Sequence, residues 1–138
     1  MSIEFSSLND FANMSYHCSC GKTHTMDIDT IVVEHGILDH FCEYINRYDS
    51  KRIFLVADDN TFEIAGKRVI NSLKSSGYSV AEHVFHRDGQ LIPNEKALAD
   101  LLLSIPTQTD LIIAVGSGTI NDVSRYLAFK FGIPYVMV

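Results

Sequence analysis

From residue 52 to the end of the chain, apolar residues fall into two alternating patterns. One is the short unbroken run: IFLVA at 53–57, DLIIAV at 110–115 and PYVMV at 134–138, with a more mixed SVAEHVF at 79–85. Unbroken apolar runs of this length mark strands covered on both faces. The other pattern recurs every three to four residues, the spacing of one helix face. It covers 61–76, with Phe62, Ala65, Val69 and Leu73 on one stripe, and 93–105, lined by Ala97, Leu98, Leu101, Leu102 and Ile105. It returns at 119–131, with Ile120, Val123, Leu127 and Phe131 turned inward. Asp59 or Asn60 suits the start of the first helix and Gly77 its stop; Pro93 opens the second, and Gly132 ends the third. Strands separated by helices in this order predict a parallel sheet joined by right-handed crossovers.

Upstream the signal is weaker. Residues 36–48 have helical spacing through Ile37, Phe41, Ile45 and Tyr48, with Leu38 and Cys42 beside them. Residues 16–29 and 30–34 read as short extended segments, with Cys20-Gly21-Lys22 as a turn between two of them. The first fifteen residues carry no clear period and read as a loose arm. The expected architecture is one α/β domain over residues 1–138. It is a Rossmann-like parallel sheet with helices on both faces, preceded by a short N-terminal extended or hairpin segment.

Composition narrows the function classes. The 138 residues are 46% hydrophobic and 20% charged, a globular balance, and the net charge is -6. With no Lys/Arg-rich run, a nucleic-acid backbone is not an expected partner. No apolar stretch approaches the roughly 20 residues that cross a bilayer, and MSIEFSSLNDF does not read as a signal peptide. Three cysteines, an odd count, argue against a disulfide framework and for a reducing compartment. A cytoplasmic location away from membranes is the expectation.

The run Val115-Gly116-Ser117-Gly118-Thr119-Ile120-Asn121-Asp122 lies between a buried strand and a helix. That is the context a phosphate-binding turn needs. Glycines let the backbone approach an oxyanion without a Cβ clash, and the following helix aims free N–H groups and its positive end at the anion. Ser117 and Thr119 can add hydroxyl donors. The same pattern also suits a tight strand-to-helix turn that binds nothing. It differs from the ordinary dinucleotide fingerprint, because it follows the third strand of the series and lacks the third glycine. Asp58 or Asp59, after IFLVA, offers a carboxylate at a strand end. There it can accept from an adenosine ribose and repel a 2′-phosphate, favouring NAD, or it can simply cap the next helix. Capping is the better reading for Asp59.

Other candidates carry less. Cys18, Cys20 and His24 form a C-x-C-x3-H cluster of soft ligands. Structural zinc takes four ligands, so a fourth would come from His17 or elsewhere, and a β-turn with incidental cysteines is the simpler reading. His83 and His86, three apart on a strand, face opposite ways and make poor co-ligands. His35, His40, Arg125 and Lys130 read as surface groups, and the Asp27/Asp29 pair shows no facing geometry.

Taken together, Val56-Ala57-Asp58-Asp59-Asn60-Thr61, Gly116-Ser117-Gly118-Thr119-Ile120-Asn121-Asp122 and Gly132-Ile133-Pro134-Tyr135 resemble the sn-glycerol-1-phosphate dehydrogenases. Those enzymes belong to the superfamily of iron-containing alcohol dehydrogenases, glycerol dehydrogenase and dehydroquinate synthase. The run Cys18-Ser19-Cys20-Gly21-Lys22-Thr23-His24 also looks like one near the start of bacterial members. The resemblance implies an oxidoreductase of phospholipid metabolism that interconverts dihydroxyacetone phosphate and sn-glycerol 1-phosphate with NAD or NADP. It implies that Asp58 contacts the adenosine end of the cofactor, that Gly116, Ser117, Gly118, Thr119 and Ile120 cradle the pyrophosphate, and that Asp122 lies toward the nicotinamide and substrate.

In the family an Asp-Gly loop follows the strand matching 134–138. A helical second domain then holds a divalent metal (Zn, Ni or Fe) through one Asp and two His. Neither is found here, so the chain is read as the N-terminal domain of such an enzyme, inactive by itself. The expected partners are NAD(P) and a small phosphorylated polyol, with room for a homo-oligomer. Another polyol dehydrogenase such as glycerol dehydrogenase, or a stand-alone nucleotide-binding module without catalysis, are the alternatives.

Overall fold

The computed structural model describes residues 7–86, 89 and 91–138. Two compact units divide the chain, Met1–Ile37 and Leu38–Val138. In the first, Ser7 caps a 3-10 turn at Leu8–Phe11, its amide donating to Asp10 Oδ2 at 2.8 Å. Strands β1 (Ser15–His17) and β2 (Thr23–Thr25) form an antiparallel hairpin. The expected turn is therefore present, but the extended reading of 30–34 is not, because no strand pairs with it among the described residues. The loose-arm expectation for residues 1–6 lies outside the described residues.

The second unit is built on four parallel strands: β3 (Arg52–Asp58), β4 (Ser79–Phe85), β5 (Leu111–Val115) and β6 (Tyr135–Met137). Their order across the sheet is β4-β3-β5-β6. Alternate residues of a strand face opposite ways, so each central strand feeds two cores. Ile53, Leu55, Ala57, Leu111, Ile113 and Val115 pack against Phe41 and Ile45 of α1 (Phe41–Ile45) and Val69, Ile70 and Leu73 of α3 (Lys67–Ser75). Phe54, Val56, Ile112 and Ala114 pack against Ala97 and Leu101 of α4 (Glu95–Ser104), and Ile120, Val123 and Leu127 of α5 (Gly118–Phe131). The handedness of the crossovers explains this division. The chain steps from β3 to β4 in one direction across the sheet, then from β4 to β5 and β6 in the other. Right-handed connections must then place α3 on one face and α4 and α5 on the other.

Several elements depart from the spacing-based expectation. The helix expected at 36–48 is a 3-10 turn, Ile37–Asp39, followed by the short α1, because His40 between them has non-helical backbone angles (φ -114°, ψ 13°). The helix expected at 61–76 begins earlier and has three parts: α2 (Asp59–Thr61), a π-helical turn at Phe62–Gly66, and α3. The second helix starts after Pro93, with the Asn94 side chain accepting from the Ala97 amide at 3.1 Å. Leu102 and Phe131, expected inside, are 56% and 50% exposed. Leu102 sits at the margin of its helix stripe, and Phe131 is the last residue of its helix. Among the described residues no helix is long and apolar enough to cross a membrane.

Candidate functional site

The strand order decides where a ligand crevice falls. Connections leave β3 toward one edge of the sheet and β5 toward the other, so the carboxyl ends of β3 and β5 flank a gap where no crossover passes. Such switch points are where open α/β sheets bind ligands. Ala57 and Val115 are partners in the β3–β5 register. The next residues, Asp58 and Gly116, therefore sit side by side at this edge. The two segments singled out by chemistry alone, distant in sequence, converge on one place.

At the β5 side the chain turns sharply into α5. Gly116 has φ +157°, and a Cβ built on it would lie 3.0 Å from Cβ and Cγ1 of Ile120, which is fully buried. Only glycine fits that approach. Ser117 is the extended N-cap residue of α5, and its hydroxyl makes no capping bond. Ser117 and Gly118 are both exposed. Helix geometry leaves the first amides of α5 without intrahelical acceptors, and its first turn contains no acidic residue to occupy them. These amides and the positive end of a 14-residue helix therefore face a region open to an anion. Thr119 is placed differently from expectation. Its hydroxyl donates to the Leu91 carbonyl at 3.3 Å and ties the turn to the segment before α4. Asp122 is exposed one turn further along, 3.8 Å from Arg125.

Two residues that pattern reasoning did not assign to the site brace this turn. The Asn121 side-chain amide donates to the Gly116 carbonyl at 3.0 Å. The Tyr135 hydroxyl, from β6, donates to Asn121 Oδ1 at 3.0 Å. Burial pushes the Tyr135 phenol up to about 12, past the opposing pull of Arg125, so it stays a hydrogen-bond donor at any ordinary pH. The strand-end tyrosine, the helix asparagine and the glycine carbonyl thus form one line of support. Asn121 lay inside the glycine-turn run, but nothing in local spacing indicated its partner fourteen residues away.

On the β3 side the structure decides which residue caps the next helix. Asp58, and not Asp59 or Asn60, is the helix cap: its Oδ1 accepts the amides of Asn60 and Thr61, each at 3.0 Å, and the Thr61 hydroxyl accepts the Asp58 amide at 3.1 Å. Asp58 is 0% exposed. In this structure its carboxylate presents no face to a ribose, and it shapes the edge by fixing the turn. Asp59 is the accessible acid, with its Oδ1 2.8 Å from Nδ1 of His86, which follows β4.

The remaining candidates lie elsewhere. Cys18, Cys20 and His24 meet in the hairpin unit, with their ligand atoms all within 4.8 Å of one another. Amide donation from Cys20, together with its side chain, lowers the Cys18 thiol below its ordinary value. His83 does not meet His86 on a common ligand. It is bonded to Ser104 Oγ at 2.9 Å. His35 and His40 are exposed, as are Arg125 and Lys130. A cleft of about 290 Å³ opens between Arg52, Ser79 and the 106–109 loop, at the amino ends of β3 and β4. It lies on the opposite edge of the sheet from the glycine turn, so sheet topology assigns it no nucleotide.

Comparison with known proteins agrees with this fold. The sequence model of the family described as iron-containing alcohol dehydrogenase matches residues 32–138. The chain is 29% identical over 134 residues to a glycerol-1-phosphate dehydrogenase [NAD(P)+] from Halalkalibacterium halodurans, covering 95% of this chain and 34% of the relative. It is 32% identical over 117 residues to the protein of that name from Bacillus subtilis, covering 83% of this chain and 30% of the relative. The crystal structure of glycerol dehydrogenase from Schizosaccharomyces pombe superposes with a TM-score of 0.66 at 26% identity, over 73% of this chain and 25% of that one. The chain spans about a third of the length of the curated relatives it matches.

Proposed function

The chain belongs to the iron-containing alcohol dehydrogenase family, and we propose that it is the nucleotide-binding part of an NAD(P)-dependent glycerol-1-phosphate dehydrogenase. The observation that carries the reading is the glycine turn at the switch point. Gly116 is there for a close backbone approach, Ser117 and Gly118 are exposed, and the start of α5 is clear of acidic side chains. These features suit a pyrophosphate. Backbone amides from Ser117 to Ile120 would hold it, while Gly116, whose own amide donates to the Val138 carbonyl at 3.0 Å, would let the chain turn beneath it, with Thr119 fixing the turn through Leu91 and the Ser117 hydroxyl open to donate. Asp122 would lie toward the nicotinamide side. Asp58 would hold the adenosine-side edge in place, while Asp59 would present the carboxylate that a ribose meets.

The bound nicotinamide would supply the hydride acceptor or donor for a polyol hydroxyl or its ketone. The catalytic metal implied by the resemblance has no Asp/His/His donor set among the described residues. The one metal-type cluster there is Cys18, Cys20 and His24, so no step is assigned to a metal on this chain. Glycerol-1-phosphate is favoured as substrate by the names of the relatives matching over most of the chain. Glycerol dehydrogenase is the second reading, supported by the structural match to the fission-yeast enzyme.

Calorimetric titration of NADH into the purified chain tests the nucleotide assignment. Saturable binding at one site, displaced by ADP-ribose, is expected. An absence of heat at millimolar NADH would sink it. An enzyme containing this domain should then turn over glycerol 1-phosphate faster than unphosphorylated glycerol, and the reverse preference selects the second reading.

A further inference from the structure

We propose that Cys18, Cys20 and His24 form a binding site for a thiophilic divalent cation of the zinc class at the tip of the β1–β2 hairpin. The fold of the hairpin brings them together. Tyr16 pairs with His24 across the two strands, so both side chains lie on one face, and the Tyr16 ring stacks on the imidazole at 5.5 Å. Cys18, two residues beyond Tyr16, continues along that face. The chain then reverses: Gly21 N–H donates to the Cys18 carbonyl at 3.0 Å, and Cys18 N–H donates to the Lys22 carbonyl at 2.9 Å. Gly21 closes the reversal in the left-handed region, at φ +82°. This tight loop returns the Cys20 thiol to 3.2 Å from His24 Nε2. The Cys20 amide approaches Cys18 Sγ at 3.5 Å.

Zinc–sulfur bonds of ~2.3 Å and zinc–nitrogen bonds of ~2.0 Å in a tetrahedron place donor atoms roughly 3.5–3.8 Å apart. The three donors here, all within 4.8 Å of one another, reach that arrangement with small side-chain rotations. Two thiolates and an imidazole are the donor chemistry that selects zinc over magnesium or calcium. His17 is not the fourth ligand. It pairs with Thr23 on the opposite face, with Nδ1 3.0 Å from Thr23 Oγ1. The fourth position is left to water or to a donor from outside the cluster.

A second observation points the same way. None of the described residues between 7 and 37 is buried, and each strand of the hairpin has three residues. Two-stranded hairpins are marginal in water without a staple, and metal binding adds directly to folding free energy. Binding displaces the two thiol protons to solvent, with no change in oxidation state.

The test is titration of Co²⁺ into the reduced 138-residue chain, followed by displacement with Zn²⁺. One equivalent should bind, with thiolate charge-transfer absorption and the intense visible bands of tetrahedral cobalt, both lost on adding zinc. Cys20→Ser and His24→Ala, both at exposed positions, should weaken zinc binding by more than the roughly 10–100-fold that loss of an outer-shell partner costs. Cys42→Ser should leave it unchanged, since that thiol lies against Ser72 in the other unit. The proposal fails if cobalt gives only weak octahedral bands. It fails equally if Cys42→Ser removes the absorption as fully as Cys20→Ser.

Discussion

A methyl group at Gly116 and one at Gly118 should act in opposite directions on stability, although the two glycines are two residues apart in one turn. At Gly116 the new Cβ would lie 3.0 Å from Cβ and Cγ1 of Ile120 and 3.3 Å from its Cγ2. Ile120 is fully buried and β-branched on a helix, so it has one strongly preferred rotamer and no room to swing aside. The backbone must give by a few tenths of an ångström. Overpacking of this kind costs about 1–3 kcal/mol. The backbone at φ +157°, which L side chains rarely adopt, adds a second cost of about 1–3 kcal/mol. One backbone shift relieves part of both, so about 2–4 kcal/mol is expected for Gly116→Ala. For a domain of this size that lowers the thermal midpoint by about 6–20 °C.

At Gly118 nothing lies within 4 Å of an added Cβ, and the residue begins α5 with ordinary helical geometry. Gly118→Ala should stabilise by about 0.4–1 kcal/mol, because the unfolded chain loses freedom that the folded one never used. The same methyl lies at the exposed helix start where the pyrophosphate is proposed to bind, so NADH affinity should fall while stability rises. Thermal unfolding and NADH titration of both variants give the four numbers needed. If Gly116→Ala melts within a degree of the parent, or Gly118→Ala falls as far as Gly116→Ala, the packing argument is wrong.

Asp58→Ala should cost about 1–2 kcal/mol, the value of a strong N-cap, measured by urea unfolding. Asp59→Asn should leave stability nearly unchanged and narrow any preference for NADH over NADPH, and the reverse outcome would restore Asp58 as the ribose selector. His83 gives a pH dependence. Burial lowers its folded-state value below the free 6.5, outweighing the opposing pull of Asp100 on α4, with His86 adding to the decrease. The unfolded chain then takes up the proton first, so this contribution is fully present above pH 6.5 and is lost as pH falls toward the folded value. The urea midpoint should fall over that range, and His83→Gln should flatten the decline; an equal slope in the variant removes His83 from the account.

The central strands were legible because burial on both faces leaves no polar position to confuse the reading. IFLVA and LIIAV run wholly apolar for that reason. Boundaries at the edge of the sheet were not, and the error matters most at the site. The apolar run ends at Ala57, but the strand continues to Asp58 with extended backbone (φ -108°, ψ 172°). One residue of extra strand turns the Asp58 carboxylate onto the amides of Asn60 and Thr61 and leaves Asp59 partly exposed beside His86. The cap thereby falls to Asp58 rather than Asp59, and composition cannot distinguish the two acids. The failed helix at 36–48 has a similar cause. Its spacing was right, but Phe41 and Ile45 are its only buried members, too few to hold a long helix against the sheet.

Alternating strands and helices imply parallel pairing, yet they are equally compatible with a sheet in which every strand adds to the same side. The site depends on the reversal between β4 and β5, which is not a local property. In a sheet that grew steadily, all the helices would lie on one face, and Asp58 and Gly116 would have no open gap between them. The reversal becomes intelligible through the two apolar faces of β3 and β5. Each strand buries both faces, and each face needs its own helix cover. Only a change of direction lets right-handed crossovers supply helices to both sides. The demand for two cores therefore places the switch point, and the switch point places the glycine turn beside the strand-end acids. Its bracing by Asn121 and Tyr135 follows from the same arrangement, since β6 lies beside β5 only on the far side of that reversal.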